Sequence, residues 1–523
     1  MPGLETSLWE ALEPSSSGLP DSEPAGRCGH GPIGWDLCDN DSNEDNYFGS
    51  DGDEGKGRGR KEDEDDDGAG KHGGVEESKG FEPDDLPHKK KLAVASGDGR
   101  RLIVIGGYNP EGVLSDAWEF HLERREWDRI SVTGVSSPPE RTFFRGCAGP
   151  PLPSATLPQP QGTDAGEGEE GLFAYVFGGV DAEGNATNAV WCLDVDNRTW
   201  HEVYREQEQG LQQQDGASTR MVAPCARSNH AMCRAGGVLA VHGGESSSGA
   251  LLGDVWFFHP TSATWKEEAG NAPPTSAAAA AAAAAGPSPC PRSSHCLTFA
   301  ARSADGSATT SSSSAGTLVL FGGLGHADGF EEETMPLNDL WVLHLTAAAV
   351  ALGPGSGGGA SDGEEGEVVR CVWSSVMLDG VGPSPRSLAA IVAPSQRHGN
   401  TGSNNGADLF LFGGYGLVEL SSGGMVVDEA EEEEEEEGGE IIMAYIDDLW
   451  RLSLESDGAD ADGFSPSEWV NETGMGFAGE SIVEGRNGHT LTWCGEKLVL
   501  FGGFVGDGFD AGVHVAEPPS SID

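Results

Sequence analysis

An arginine recurs at an equivalent place in five segments of the chain, each time ahead of an apolar run that ends in two glycines. Guanidinium groups bind carboxylates and phosphates through pairs of parallel hydrogen bonds. A set of such groups around one opening would form a site for an acidic partner. The candidate partner-binding residues are Arg141, Arg227, Arg292, Arg386 and Arg486, with Arg27 in the segment RCGH as a sixth.

Three of these segments, PCARSNH, PCPRSSH and EGRNGH, also contain a histidine three residues after the arginine: His230, His295 and His489. Imidazole groups can ligate metals or transfer protons. Repeated arginines and histidines can equally stabilise turns and neighbouring strands. For the arginines both interpretations stay open. For the histidines we favour the structural role, and we predict no metal and no cofactor.

Six apolar runs ending in a glycine pair frame these residues: LIVIGG, AYVFGG, LAVHGG, LVLFGG, LFLFGG and a second LVLFGG. The first five are followed by a tryptophan, as in GDVW and NDLW, and then by another tryptophan. The glycine positions are Gly106, Gly107, Gly178, Gly179, Gly243, Gly244, Gly322, Gly323, Gly413, Gly414, Gly502 and Gly503. The tryptophan positions are Trp118, Trp127, Trp191, Trp200, Trp256, Trp265, Trp341, Trp373, Trp450 and Trp469.

Each repeat predicts four short strands, a to d. Strand a starts near the arginine, strand b is the apolar run, and strands c and d carry the two tryptophans. An uninterrupted apolar run indicates a strand buried on both faces. The glycines permit positive φ, and the tryptophans are large enough to fill the gap between sheets. Because one such sheet cannot bury both of its faces alone, the repeats must stack around an axis.

This order of PxxRxxH, apolar-Gly-Gly, Asp-x-Trp and Trp resembles the kelch motif over roughly residues 89–515. The resemblance implies an all-β fold, a six-bladed kelch-type β-propeller with four antiparallel strands per blade. It also implies closure by a strand from the other chain end. The sixth repeat lacks a strand d tryptophan, and SLWEALEP at 7–14 looks like that strand. We predict that the N-terminal strand completes the last blade; the alternative is that Trp9 lies in a disordered tail.

The predicted organisation has four segments. Residues 1–30 complete blade six and lead into blade one, 31–88 form an acidic low-complexity insert, 89–515 form the propeller, and 516–523 form a tail. Strand a of the first blade begins near residue 27 or near residue 89. Further acidic and Gly/Ser/Ala-rich insertions, such as nine alanines at 277–285, predict long disordered loops. The glutamate run at 431–437 is either solvated or a screen over the arginines.

The charge and the cysteines limit the partners and the compartment. A formal net charge of −55 disfavours binding to nucleic acid and to anionic membranes. The start of the chain has no secretory signal pattern, and no apolar stretch is long enough to span a bilayer. Ten scattered cysteines include no CxxC pair. We predict a cytoplasmic monomer, with the nucleus left open, that binds a protein partner and is not inserted in a membrane.

Two classes of function fit such a ring. The first is a non-catalytic scaffold or effector that binds a partner at a loop face, with an acidic motif as the candidate ligand; this is our prediction. The alternative is a propeller enzyme acting on a sugar or small molecule, as in kelch-like propellers of the galactose oxidase type. None of the six tyrosines is grouped with a cysteine and histidines in the sequence. A nucleophile elbow and a phosphate loop are also missing from the sequence, so we predict no catalytic residues.

Overall fold

The six Gly-Gly runs form the second strands of six antiparallel sheets in the computed structural model. The structure describes residues 9–11, 92–95, 100–109, 112–133, 137–153, 171–205, 223–268, 287–301, 314–326, 333–346, 372–394, 407–420, 440–456, 464–473, 483–495 and 497–516. These residues contain strands and turns and no helix, and all of them belong to one compact unit.

The strands of the first three repeats follow the a to d order. The N-terminal segment contributes β1 (Trp9–Ala11). Repeat 1 contains β2 (Leu92–Ala95), β3 (Arg101–Asn109), β4 (Gly112–His121) and β5 (Glu126–Arg129). Repeat 2 contains β6 (Arg145–Gly149), β7 (Phe173–Phe177), β8 (Val190–Asp194) and β9 (Thr199–Tyr204). Repeat 3 contains β10 (Arg227–Ser228), β11 (Ala231–Ala235), β12 (Val238–Ser246), β13 (Leu251–His259) and β14 (Thr264–Glu267).

Repeats 4 to 6 follow the same order, and repeat 5 adds a hairpin. Repeat 4 contains β15 (Arg292–Ser293), β16 (Cys296–Ala301), β17 (Ser314–Gly325), β18 (Met335–Thr346) and β19 (Trp373–Val376). Repeat 5 contains β20 (Arg386–Ser387), β21 (Ala390–Val392), β22 (Ala407–Phe412), β23 (Tyr415–Leu420), β24 (Glu440–Tyr445), β25 (Leu449–Ser456) and β26 (Phe464–Asn471). Repeat 6 contains β27 (Thr490–Cys494), β28 (Lys497–Phe501) and β29 (Val513–Ala516).

Strand b is the centre of every sheet and is buried on both faces. The four residues before each glycine pair are at most 3% exposed in all six repeats. The strand c tryptophan always stands opposite the residue two positions before the first glycine, as in the pairs Val241 with Trp256 and Leu320 with Trp341. Because side chains alternate along a strand, this constant register aims the same positions at the same neighbouring sheet in each repeat.

The six sheets close into a ring. Their inner strands contact one another in the cyclic order β2, β6, β11, β16, β21, β27 and back to β2. Six apolar clusters fill the gaps between consecutive sheets, and one of them joins repeat 6 to repeat 1. In that cluster Trp127 packs on Phe501 with ring centroids 5.4 Å apart. The core is therefore distributed around the axis as six interfaces, which is the arrangement of a β-propeller.

Backbone hydrogen bonds tie neighbouring repeats together near the motif arginines. The residue two positions after each arginine has a left-handed φ of 51° to 63° in repeats 2 to 6. The N–H of Asn229 donates to the carbonyl of Phe143 at 3.0 Å, and the N–H of Ser294 donates to the carbonyl of Asn229 at 2.8 Å. Leu388 and Gly488 extend this series. The non-glycine residues Asn229, Ser294 and Leu388 adopt this uncommon φ because it aims each N–H at the preceding repeat.

The N-terminal strand completes the sixth sheet. β1 pairs antiparallel with β29, with Trp9 opposite Ala516 and Ala11 opposite His514. The sheet order is β1, β29, β28, β27, so an N-terminal strand occupies the strand d position of a C-terminal repeat. The edge of β29 is thereby paired, which removes a site of edge-to-edge association.

Several predicted features lie outside the described residues. They are the acidic segment 31–88, the alanine tract 277–285, the glutamate run 431–437, the residues after 516, and Arg27. Within the described part, the inner strand of repeat 1 is β2 at Leu92–Ala95.

Removing the N-terminal strand should destabilise the ring. We expect deletion of residues 1–11 to lower Tm by about 2 °C or more, because it strips the backbone partners from β29. Deletion of residues 1–6, which leaves β1 in place, is the matched control. Equal melting of the two truncated proteins by differential scanning calorimetry would show that β1 does not support the ring.

Candidate functional site

One face of the ring carries all five described motif arginines. At this face strand b ends in its glycine pair, strand c begins, and the connection from each strand d reaches the arginine of the next repeat. We call it the Gly-Gly face. The opposite face carries the a–b and c–d connections. The Gly-Gly face therefore contains the candidate partner-binding arginines predicted from the sequence.

The structure buries the side chains of all five arginines. Their exposed fractions are 6% for Arg141, 0% for Arg227 and Arg292, 1% for Arg386 and 2% for Arg486. A buried guanidinium is stable only when its charge and its N–H groups are matched by partners. The hydrogen-bond and ion-pair partners of each guanidinium therefore indicate its role.

Repeat 3 has the complete set of contacts. Arg227 Nη1 and Nη2 bind the two carboxylate oxygens of Asp254 at 2.7 and 2.8 Å. Nη1 also donates to the carbonyl of Gly243 at 3.0 Å, and Nε donates to the carbonyl of Cys225 at 3.2 Å. The indole Nε1 of Trp256 donates to the same carboxylate at 2.7 Å. The separate sequence signals Arg, Gly-Gly and Asp-x-Trp thus meet in one hydrogen-bonded group, which we call the arginine node.

Repeats 4 and 5 contain the same node. Arg292 holds Asp339 through two hydrogen bonds of 2.6 and 2.7 Å, and Trp341 donates to that carboxylate at 2.7 Å. Arg386 holds Asp448, and Trp450 donates to it at 2.6 Å. In repeat 6, Arg486 pairs with Asp510. There the second residue after the aspartate is Gly512, and His514, which stands opposite Leu500 in the register position of the tryptophan, places its Nε2 3.0 Å from the carboxylate.

Repeat 2 departs from this pattern. Arg141 donates to the carbonyls of Pro139 and Gly178, both at 3.2 Å. The residue two before Trp191 is Ala189, so no carboxylate stands where the other nodes have one. Arg141 makes no ion pair within the described residues, and Trp191 Nε1 is buried there without an acceptor.

The charges follow these contacts. Burial opposes ionisation of Asp254 and Asp339, yet the hydrogen bonds and charge of their arginines hold the pKa of both carboxyls below the usual range. Burial also acts against Arg292, but the hydrogen bond and charge of Asp339 raise its pKa. For Arg141, burial lowers the pKa to about 10, and the positive charge of Arg205 adds to the shift. Arg141 is thus the motif arginine whose charge is least compensated.

The glycine pair is required by the next repeat. Gly243 has φ +60°, and a Cβ placed on it would lie 2.7 Å from the carbonyl of Arg292 and 3.0 Å from His295 Cε1. A contact of that length does not occur for a real Cβ, so a larger residue would push repeats 3 and 4 apart. The node of one repeat is thereby locked against the start of the next.

The geometry gives four arginines, Arg227, Arg292, Arg386 and Arg486, a structural role in the nodes. Their guanidinium groups are already bound by carboxylates of this chain, so a partner would have to displace a buried ion pair to reach them. Direct contact between these arginines and a partner stays a prediction. The sequence identified the arginines and the Asp-x-Trp motif, but it did not show that each of these arginines pairs with the aspartate of its own repeat.

The three motif histidines lie between repeats. His230 packs edge-on against Phe177 of repeat 2 with ring centroids 5.0 Å apart, and His489 packs in the same way on Phe412. His295 meets His242 instead, with Nδ1 of His242 and Nε2 of His295 2.9 Å apart. No group of three or more potential metal ligands occurs within the part of the chain that the structure describes.

The structure places one tyrosine, Tyr175, beside two thiols. Tyr175 stands opposite Cys147 and Cys192 on the neighbouring strands and donates to the carbonyl of Pro150 at 2.8 Å. Burial raises the pKa of Cys147 to about 12 and that of Cys192 well above its ordinary value. These thiols stay protonated at neutral pH and are therefore poor nucleophiles.

A hairpin on the Gly-Gly face presents apolar side chains that sequence reasoning missed. β23 and β24 pair from Tyr415 opposite Tyr445 to Leu420 opposite Glu440. Met443 is 39% exposed and Ile441 is 65% exposed on β24. Tyr445 lies 5.0 Å from Tyr415 and 5.5 Å from Phe504 between ring centroids. In the sequence this hairpin corresponds to two apolar segments, GLVEL and IIMAY, on either side of the acidic run.

Breaking a complete node should cost far more than breaking a surface pair. We expect Asp254→Ala to lower the free energy of unfolding by about 3–5 kcal/mol, because it leaves Arg227 buried and uncompensated. The control is Glu123→Ala at the exposed Arg100–Glu123 pair, with an expected loss below about 1 kcal/mol. Chemical denaturation measures both. Similar losses in the two variants would contradict the structural role of the node.

The buried histidine pair should make stability sensitive to acid. Burial lowers the pKa of His242 to about 3, and the charges of Arg292 and Arg227 act in the same direction against Asp254. Its contribution to stability is complete above the unfolded pKa of about 6.5 and is lost as pH falls from there toward 3. We expect His242→Phe to reduce the acid slope of the unfolding free energy by up to about 1.4 kcal/mol per pH unit.

His242→Phe reproduces the Phe–His contact of repeats 2 and 5, so it should fold. Urea denaturation at several pH values between 4 and 7 measures the slope. An identical slope in the variant and the parent protein would mean that His242 is not the titrating group.

The chain spans 22% of the length of the curated relatives that it matches. The family model described as the KLHDC2/KLHL20/DRC7 Kelch-repeats domain matches residues 159–288. Adagio protein 3 of Arabidopsis thaliana is 31% identical over 179 residues, which is 32% of this chain. Adagio-like protein 3 of Oryza sativa subsp. japonica is 31% identical over 180 residues, again 32% of this chain. With an all-β ring of Gly-Gly repeats and these likenesses, the chain is a kelch-repeat protein.

Proposed function

We propose that the protein is a non-catalytic interaction scaffold or effector that binds a protein partner on its Gly-Gly face. Kelch repeat domains generally mediate protein–protein interaction. The observation that carries the proposal is the distribution of exposed apolar side chains. Of the six large apolar residues that are exposed within the described ranges, five belong to connections of the Gly-Gly face: Val132, Met377, Val381, Ile441 and Met443.

The hairpin of repeat 5 is the proposed centre of this surface. Leu417 stands opposite Met443, and both share one side of the hairpin with Tyr415, Tyr445 and Ile441, because cross-strand partners point the same way. Aromatic residues and methionine are enriched at protein interfaces. Exposed apolar area that is grouped on one face indicates a contact surface.

The connection before repeat 5 adds exposed apolar side chains to the same face. Met377 is 92% exposed and Val381 is 82% exposed in the segment between β19 and β20. β20 then pairs with β23, so this segment leads directly to the base of the hairpin. The opposite face has Val372 as its exposed large apolar residue in the described part of the chain.

We also propose a class of partner and a compartment for the protein. An acidic partner motif remains part of it, and the residue best suited to contact one is Arg141. The high negative charge supports a protein partner over nucleic acid. No helix among the described residues is long and apolar enough to cross a membrane. We further propose a cytoplasmic monomer.

Introducing negative charge on the hairpin tests the proposed function. We expect the double variant Ile441→Asp, Met443→Asp to lose its specific partners from a cell extract by at least tenfold, because aspartates cannot be desolvated in an apolar contact. Quantitative mass spectrometry of co-purified proteins measures the loss. The matched control is Val372→Asp, which adds a charge at a similarly exposed position on the opposite face and should keep the same partners. Partners that survive the hairpin change but not the control would place the interaction on the other face.

A further inference from the structure

The hairpin of repeat 5 ends its sheet with a strand edge on the Gly-Gly face. The sheet has the order β20, β23, β24, so β24 is its last strand among the described residues. Ile446 donates its N–H to the carbonyl of Gly414 at 3.0 Å, in continuation of the β23–β24 register. Because backbone groups alternate in direction along a strand, the even-numbered residues of β24 point toward β23. The N–H and C=O groups of Ile441 and Met443 therefore point away from the hairpin.

The base of this edge is covered, and its outer part is open. The carbonyl of Tyr445 faces Gly485, on which an added Cβ would lie 2.3 Å from that oxygen. Beyond this contact, Ile441 and Met443 receive no backbone hydrogen bond from outside the hairpin within the described ranges. The side chains of both residues are exposed. An open edge of this kind accepts a further strand through its backbone groups.

Aromatic rings lie beside the base of the edge. Tyr445 packs against Tyr415 and Phe504, and Phe504 lies 5.0 Å from Phe509 between ring centroids. All four rings are partly exposed. They continue the side of the hairpin that carries Met443, because side chains alternate along a strand. A strand paired with β24 would place every second side chain over this surface.

The exposed charges around this surface are negative. In the Gly-Gly face connections of repeats 5 and 6, the basic residues that the structure describes are Arg386 and Arg486, which are buried in their nodes. The segment 421–439, which joins the two strands of the hairpin, adds nine acids and no lysine or arginine. A cationic segment is therefore attracted to this surface, whereas an acidic segment or a second copy of this chain is repelled. The exposed acids of the same described connections are Asp379, Glu419, Asp447, Glu484 and Asp507.

We propose that the open edge of β24 binds an extended segment of a partner protein in which apolar residues alternate and lysine or arginine stands at both ends. The segment adds a strand beside Ile441 and Met443, and its apolar side chains cover the rings. One cation lies near Glu419, which stands opposite Ile441, and the other lies near Asp447, which follows β24 at its base. Lysine and arginine stems also pack well on aromatic rings.

This inference rests on the proposed function, because it states how the hairpin binds its partner and which chemistry the partner has. It concerns repeats 5 and 6 and is separate from Arg141 in repeat 2.

Three peptides with blocked ends test the inference on the full chain. The basic peptide is Lys-Val-Thr-Val-Thr-Val-Lys, the acidic peptide has Glu in place of both Lys, and the methylated peptide is the basic one with every Val and Thr N-methylated. Isothermal titration calorimetry measures the affinities. We expect the acidic and the methylated peptides to bind about tenfold or more weakly than the basic one, since the first is repelled and the second has lost its backbone donors.

Two pairs of variants locate the binding. Met443→Pro removes an outward N–H and leaves the bonds to β23 in place, so it should weaken the basic peptide, whereas Met443→Leu should bind like the parent protein. The double variant Glu419→Gln, Asp447→Asn should also weaken the basic peptide. Its matched control, Glu123→Gln with Asp128→Asn, changes two exposed acids of repeat 1 and should leave the affinity unchanged.

Several results would overturn the proposal. No binding of the basic peptide, or equal binding of the methylated peptide, would exclude strand addition without any change to the protein. Equal effects of the two double variants would mean diffuse attraction. A dimer in sedimentation analysis that Met443→Pro abolishes would identify a second copy as the occupant. Much tighter peptide binding after the lysines and arginines of KGRGRK at 56–61 are changed to serine would identify that segment of this chain.

The experiment on cell-extract partners described above is independent of these measurements. Partners that depend on the hairpin, together with equal binding of the basic and methylated peptides, would leave the proposed function in place and reject strand addition. Strand addition by the basic peptide, together with extract partners that ignore the hairpin, would reject the proposed function and leave the peptide site.

Discussion

The buried guanidinium is the constraint on which this ring depends. An arginine taken out of water must have its charge and its N–H groups matched, or it costs several kcal/mol. Arg227 meets that requirement with the carbonyl of Gly243, the carbonyl of Cys225 and the carboxylate of Asp254. These partners come from strands b and c and from the connection just before strand a, so the node fixes how the strands end at the Gly-Gly face. The three motif signals of the sequence are thus parts of a single polar contact.

The nodes also connect the repeats to one another. The carbonyl of Arg292 approaches Gly243 so closely that no side chain fits, and His295 occupies the space beside His242 of the preceding repeat. The strand d tryptophan adds an apolar contact between sheets, as Trp469 does on Phe321. Each sheet therefore depends on contacts with its neighbours for its stability, and these contacts continue around the ring. Connections can vary in length because they leave from strand ends, beyond these contacts.

The sequence was sufficient for the strands and for their order in each repeat, because buried strands, glycine pairs and tryptophans carry strong local signals. The orientation of the arginines could not be deduced, since the residue type specifies a charge but not the direction in which it points. The nodes were also difficult to predict because the arginine and its aspartate are far apart in the sequence. Arg227 is 27 residues from Asp254, but Arg386 is 62 residues from Asp448, because an insertion divides repeat 5. The apolar hairpin was missed because the glutamate run separates its two strands in the sequence.

Departures from the repeat are as informative as the repeat itself. At two positions one repeat differs from the others, and the consequences differ. His242 replaces the apolar residue found before the other glycine pairs, and a contact with His295 compensates for its polarity. Ala189 replaces an aspartate, so Trp191 Nε1 is buried without an acceptor within the described residues, while Arg141 keeps its hydrogen bonds to the carbonyls of Pro139 and Gly178. Arg141 keeps the two carbonyl contacts that the other four arginines also make, so it still joins the start of repeat 2 to the end of its strand b where the acid has gone.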